Sequence, residues 1–132
     1  MKDILEAIRN LEDMRFLKPA SLEQIEESQR ALGVIFADDY REYVHKYGAI
    51  SARGIELTGV TTAVRLDVVA VTKREREINK YIPKSMYVIE NVGIDGIAII
   101  QDSDGKVYSI TMSGNLKCIC MSLTEYVEQS NF

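Results

Sequence analysis

Apolar residues recur at three- and four-residue intervals through the first third of the chain, then give way to shorter runs with partial alternation. Ile4, Leu5, Ile8 and Leu11 share a helical face, with Glu6, Arg9, Asn10 and Glu12 on the solvent side, which predicts a helix from about Asp3 to Met14. After Pro19, Ser21 with Gln24 three residues on has capping-box spacing; Leu22, Ile25, Gln29 and Leu32 mark an imperfect inner stripe that closes at Gly33. A third helix runs from about Asp38 through Tyr40, Tyr43, Val44 and Tyr47 to Gly48. Its tyrosines form one stripe, read as packing on a sheet with hydroxyls reaching the edge, in preference to a stacking platform.

The period then changes. Gly54–Val60 alternates in part between glycines and predicts a short strand or hairpin arm. Asp67–Lys80 opens with a strand-like Val68-Val69-Ala70-Val71 but continues as a charged helical face, so it is read as a helix capped by Asp67 and broken by Pro83. Strands are predicted at Met86–Glu90, Ile97–Gln101, Lys106–Ile110 and, more weakly, Leu116–Cys120. The turns between them are 91–96, Asp102–Gly105 and Ser113–Asn115. The unbroken run Ile97-Ala98-Ile99-Ile100 implies a strand buried on both faces. A last helix starts at Ser122, where Ser122-Leu123-Thr124-Glu125 repeats the capping-box spacing. Helices, strand, helix, antiparallel meander, helix is an α+β order.

The chain has 132 residues, the size of one domain, with 46% hydrophobic and 27% charged residues, a balance that permits a core without disulfides or metals. Its longest apolar runs are far short of the ~20 residues a membrane helix needs. The start Met1-Lys2-Asp3-Ile4-Leu5-Glu6 places acids where a signal peptide needs an apolar stretch. Cys118 and Cys120, two apart, are poorly spaced for a disulfide and are read as small buried or half-buried thiols in preference to a metal or redox pair. The expected compartment is the cytoplasm. Net charge is -4, but it is uneven. Residues 1–48 hold seven Lys/Arg against ten Asp/Glu, residues 49–82 six against four, and residues 83–132 three against six. Two acidic ends around a mildly basic middle make a poor nucleic-acid footprint and favour a basic protein partner.

No catalytic constellation is legible. The one histidine, His45, sits inside the third helix away from any nucleophile motif, and no phosphate loop, dinucleotide fingerprint or zinc spacing occurs. Asp102-Ser103-Asp104-Gly105 superficially resembles a calcium loop, but position twelve counted from Asp102 is Ser113, where a bidentate Glu is needed. Asp38-Asp39 suits a helix N-terminus through the dipole alone. The expectation is a non-enzyme with no cofactor and no metal. Glu56, Glu90, Asp95 and Asp104, chosen on charge and turn placement, are the candidate partner-binding residues. Solvated turn acids are the plainer reading of the last three.

Several stretches are similar, in order, to the SUKH superfamily. Leu32-Gly33-Val34-Ile35-Phe36-Ala37-Asp38-Asp39-Tyr40-Arg41-Glu42-Tyr43-Val44-His45-Lys46-Tyr47-Gly48 resembles its signature, and Asp67-Val68-Val69-Ala70-Val71-Thr72 its Val-Val-x-x-Thr helix start. Pro83–Gly96, Asp102-Ser103-Asp104-Gly105-Lys106-Val107-Tyr108 and Ser122-Leu123-Thr124-Glu125-Tyr126-Val127 resemble its later strand, hairpin and closing helix. Two departures stand out: Ala37 where the family usually has Pro, and Gly48-Ala49-Ile50 without the commoner second glycine. The resemblance implies one SUKH-like domain over 1–132, with N-terminal helices, a central antiparallel sheet of about four to six strands and a C-terminal helix. It also implies a non-catalytic, protein-binding role. One form is a bacterial immunity protein that neutralises a cognate polymorphic toxin, nucleases among them. The alternative is an intracellular scaffold or regulatory interaction module, as in the fungal cell-wall assembly members.

Overall fold

A computed structural model describes residues 3–92 and 96–130. Its elements run α1 (Ile4–Arg9), β1 (Arg15–Phe16), α2 (Leu22–Leu32), α3 (Asp38–Tyr47), β2 (Ile50–Ala52), β3 (Ile55–Leu57), α4 (Val68–Ile78), β4 (Tyr87–Asn91), β5 (Ala98–Gln101), β6 (Val107–Ile110), β7 (Leu116–Cys120) and α5 (Leu123–Gln129). The α+β class and the closing helix are as expected. The meander is a four-stranded antiparallel sheet, β4-β5-β6-β7, and a separate three-stranded sheet has the order β1-β2-β3.

Local chemistry accounts for most boundaries. Ser21 and Gln24 form both halves of a capping box on α2, and Gly33 ends that helix in the left-handed region at φ 69°. Asp67 accepts from Ala70 N at the start of α4. Ser122 accepts from Glu125 N on α5, but Glu125 reaches back to Met121 N, so the second half of that box is displaced by one residue. In the β5–β6 hairpin, Asp102 Oδ1 accepts from the backbone of both Asp104 and Lys106, and Gly105 takes φ 100°.

One expectation is corrected, and the hairpin arm expected at 54–60 is present. The first helix stops at Arg9 and does not reach Met14; Leu11 is buried from outside the helix, and Asp13 takes φ 55° to turn the chain into β1. The strand expected at 54–60 is the second arm of a hairpin whose first arm, β2, also pairs with β1.

The four-stranded sheet is apolar on both faces. Tyr87, Ile89, Ile99, Val107 and Cys120 join the main core with α1, α2, α3 and α5. Val88, Ala98, Ile100 and Ile110 face Val71 of α4 and Ile82 in a second cluster. All four residues of β5 are buried, as its unbroken apolar run predicts. The α3 stripe lies inside: Phe36, Tyr40, Tyr43 and Tyr87 pack edge-on or tilted, with ring centroids 4.8 Å apart for Phe36–Tyr87 and 5.6 Å for Tyr40–Tyr43. No described helix is long and apolar enough to cross a membrane.

Candidate functional site

The buried tyrosines set the position of the surface above them. Thr58 is the hub of one network. Its Oγ1 donates to Val88 O at 2.7 Å, and the Tyr40 hydroxyl therefore donates to that oxygen at 2.9 Å. Tyr43 donates to Thr58 O and accepts from Ile50 N. Burial raises both phenols well out of reach of neutral pH, so they are fixed donors.

A second network leads to the surface. Ala37 N donates to Tyr87 Oη (2.9 Å), Tyr87 Oη donates to Gln101 Oε1 (2.7 Å), and Gln101 Nε2 donates to Gly105 O and Asp39 Oδ1. Asp39 Oδ2 accepts from Leu123 N, the first residue of α5. One carboxylate in the first turn of α3 thus ties together the β5–β6 hairpin and the start of α5. Burial raises the Asp39 pKa, opposed by the bonds from Leu123 and Gln101. The result is a cleft of about 240 Å³ lined by Ala37, Asp38, Asp39, Ser103, Asp104, Gly105, Met121 and Ser122. It presents three carboxylates and no cationic side chain in its lining. The nearby Arg41 pairs with Asp38 at 2.7 Å, with the Asp38 side chain 97% exposed.

The four candidate acids fall in different places. Asp104 lines this cleft, exposed and outside every ion pair found. Glu56 and Glu90 meet elsewhere, where β3, β4 and α5 converge. Glu56 N donates to Glu90 Oε2 at 2.7 Å, the Tyr126 hydroxyl donates to Glu90 Oε1 in a short contact, and the Glu56 carboxylate pairs with Arg65 at 2.6 Å. Glu90 is half-buried, and desolvation lifts its pKa despite those donors. Asp95 lies outside the described residues.

Sequence reasoning missed Asp38 and Asp39 as members of the site, treating them as helix-dipole acids only. The partners of Asp39 lie 62 and 84 residues away, so no local signal marks it.

Other reactive groups are engaged structurally. His45 Nδ1–H donates to Ala20 O at 2.8 Å, and both cysteines are free, Cys118 exposed and Cys120 buried. Among the described residues no group of three His, Cys, Asp or Glu is placed to hold a metal ion.

With this geometry in place, comparison with known families is decisive for kinship. The SMI1-KNR4 cell-wall family model, SUKH_5, matches residues 1–131. The chain belongs to that family. Membership of the wider SUKH superfamily accords with the five helices and the two antiparallel sheets. No curated protein matches the sequence. Within this SUKH_5 chain, the first departure from the usual signature has a local explanation, and the glycine that precedes the second is required by its backbone. Ala37 supplies an N–H to Tyr87 that a proline lacks. Gly48 takes φ 74°, and a Cβ there would stand 2.0 Å from Lys18 O.

Proposed function

We propose that this SUKH_5 chain acts as one domain over 1–132 that binds a protein partner in the cytoplasm and catalyses no reaction. In this reading it is an immunity protein that neutralises a cognate toxin with a basic surface. The supporting observation is the cleft between α3, the β5–β6 hairpin and α5, which offers Asp38, Asp39 and Asp104 with no cation in its lining. A lysine or arginine of the partner entering it would meet two exposed carboxylates, Asp104 on the β5–β6 turn and Asp38, which already pairs with Arg41. The proposed contact set is Asp104 with Asp38 and Asp39, followed by Glu56 with Glu90, with Asp95 retained from the pattern of turn acids. Nucleic acid and membrane are not partners in this reading.

The test is charge reversal at the two exposed acids, Asp38→Lys and Asp104→Lys, measured as association rate with the product of the gene immediately upstream. The double variant is expected to slow association at least tenfold at low salt and to flatten its salt dependence. An unchanged rate and salt slope would remove the cleft from the interface.

The family description, cell-wall, favours a second reading as a regulatory interaction module. That role predicts modest affinity for a resident protein and no neighbouring toxin.

A further inference from the structure

We propose that the chain carries a second docking surface, independent of the acidic cleft, at the exit of α4 and the β6–β7 turn. Its occupant is an apolar protein segment flanked by Asp or Glu. The surface is built by Asn79, which leaves α4 in extended conformation and is itself buried. Its Nδ2 donates to Thr111 O at 2.9 Å and its Oδ1 accepts from Tyr81 N at 3.0 Å, clamping the loop after α4 onto the turn after β6. The turn is closed internally by Gly114 N to Thr111 O and Asn115 N to Thr111 Oγ1.

On this base two large side chains are exposed yet seated. The ring of Tyr81 lies against Gly114, where a Cβ would stand 2.7 Å from Cγ and 3.0 Å from each Cδ. Met112 lies against Gly96, where a Cβ would come within 2.5 Å of its Cγ. Tyr81 nevertheless exposes 52% of its surface, Met112 43% and Leu116, the first residue of β7, 41%. Side chains already fixed in place lose little entropy on binding, and Tyr and Met are enriched at interface centres.

Charge selects the occupant. Residues 78–84 and 111–116 contain Lys80 and Lys84 and no carboxylate, on a chain of net charge -4; Lys117, next to Leu116 on β7, faces the other side of the sheet. Lys80 Nζ stands 5.6 Å from the Tyr81 ring centroid, and neither Lys80 nor Lys84 is in an ion pair among the described residues. A two-fold contact with a second copy would set these lysines against their own kind. Tyr81 is held by its Cγ and both Cδ atoms against Gly114, which leaves less of the ring free to insert into a lipid surface than an unattached side chain has. An apolar segment with acidic flanks satisfies both the rings and the rim.

The experiment titrates the full chain, carrying ¹³C-methyl methionine, with a short synthetic peptide of Leu and Phe between Asp and Glu. A control peptide has Lys at every acid. The acidic peptide is expected to shift the Met112 methyl selectively; Tyr81→Ala should weaken it about tenfold or more. Lys80→Glu with Lys84→Glu should weaken it too and improve the control. An unmoved Met112 signal, equal binding of the two peptides, or full affinity in Tyr81→Ala overturns the proposal. A Met112 shift with anionic lipid vesicles but not with the peptide overturns it in favour of a membrane.

Discussion

Replacing Thr58 by Val keeps the shape of the side chain and removes the hydroxyl on which two buried groups depend. The Tyr40 hydroxyl loses its acceptor, and Val88 O loses the Thr58 donor 2.7 Å away. Both sit where water does not reach, since Tyr40 and Val88 have no exposed surface. The backbone bonds of Thr58, from its N–H to Ile89 O and from Tyr43 to its carbonyl, are untouched. At about 1–3 kcal/mol for each of the two orphaned buried groups, the single substitution costs about 2–6 kcal/mol. Tyr40→Phe removes one bond but leaves Thr58 still donating to Val88, and costs about 1 kcal/mol. In the double variant the orphan hydroxyl is gone, so its cost falls short of the sum by about 1–2 kcal/mol. Urea unfolding followed by far-ultraviolet circular dichroism measures all three, with a midpoint shift of about 1–2 M expected for Thr58→Val at unchanged slope. A Thr58→Val protein within about 0.5 kcal/mol of the parent, or strict additivity in the double variant, would refute the hub.

Gly59→Ala drives a Cβ to 1.8 Å from Gly48 O, a backbone atom with nowhere to retreat, and should cost about 3 kcal/mol or more in the same assay. Ala37→Pro fits the observed φ of -62° yet removes the N–H that Tyr87 accepts; it should lower stability by about 1–3 kcal/mol, and adding Tyr87→Phe should lower it further, because the buried Gln101 Oε1 then loses its donor. Glu90 has its carboxyl pKa raised by burial, so the folded state holds its proton at higher pH than the unfolded state does. Its contribution is therefore fully present below the ordinary carboxyl range and is lost as pH rises through the raised value. The parent should gain stability relative to Glu90→Gln as pH falls through the raised value, and the difference should level off below the ordinary carboxyl range. Parallel profiles would contradict that assignment.

What could be read along the chain was local. Ser21, Gln24 and Gly33 announce both ends of α2, and Asp67 announces α4 against the strand-like look of Val68–Val71, because caps act within one turn. The apolar run of β5 declares burial on both faces before any partner is known. What escaped is set by distant partners. The first strand is two exposed residues that exist only through pairing with Ile50 and Ser51. Leu11 extends the helical period of α1 by burying itself after the helix has ended. Glu90 reads as a solvated strand-end acid, but a bulge between Val88 and Glu90 shifts the register, and its carboxylate meets Tyr126 and Glu56 N. Asp104 was legible as an exposed turn acid; its meeting with Asp38 and Asp39 required the fold.

Co-expression reads protection by binding as survival of the cell. The upstream gene product is produced alone, with the tagged chain, and with the Asp38→Lys/Asp104→Lys chain, and colony survival is scored beside co-purification. Killing by the product alone, survival with a stable complex when the parent chain is present, and loss of both with the double variant are expected. A harmless product that forms no complex with the chain would contradict protection by binding.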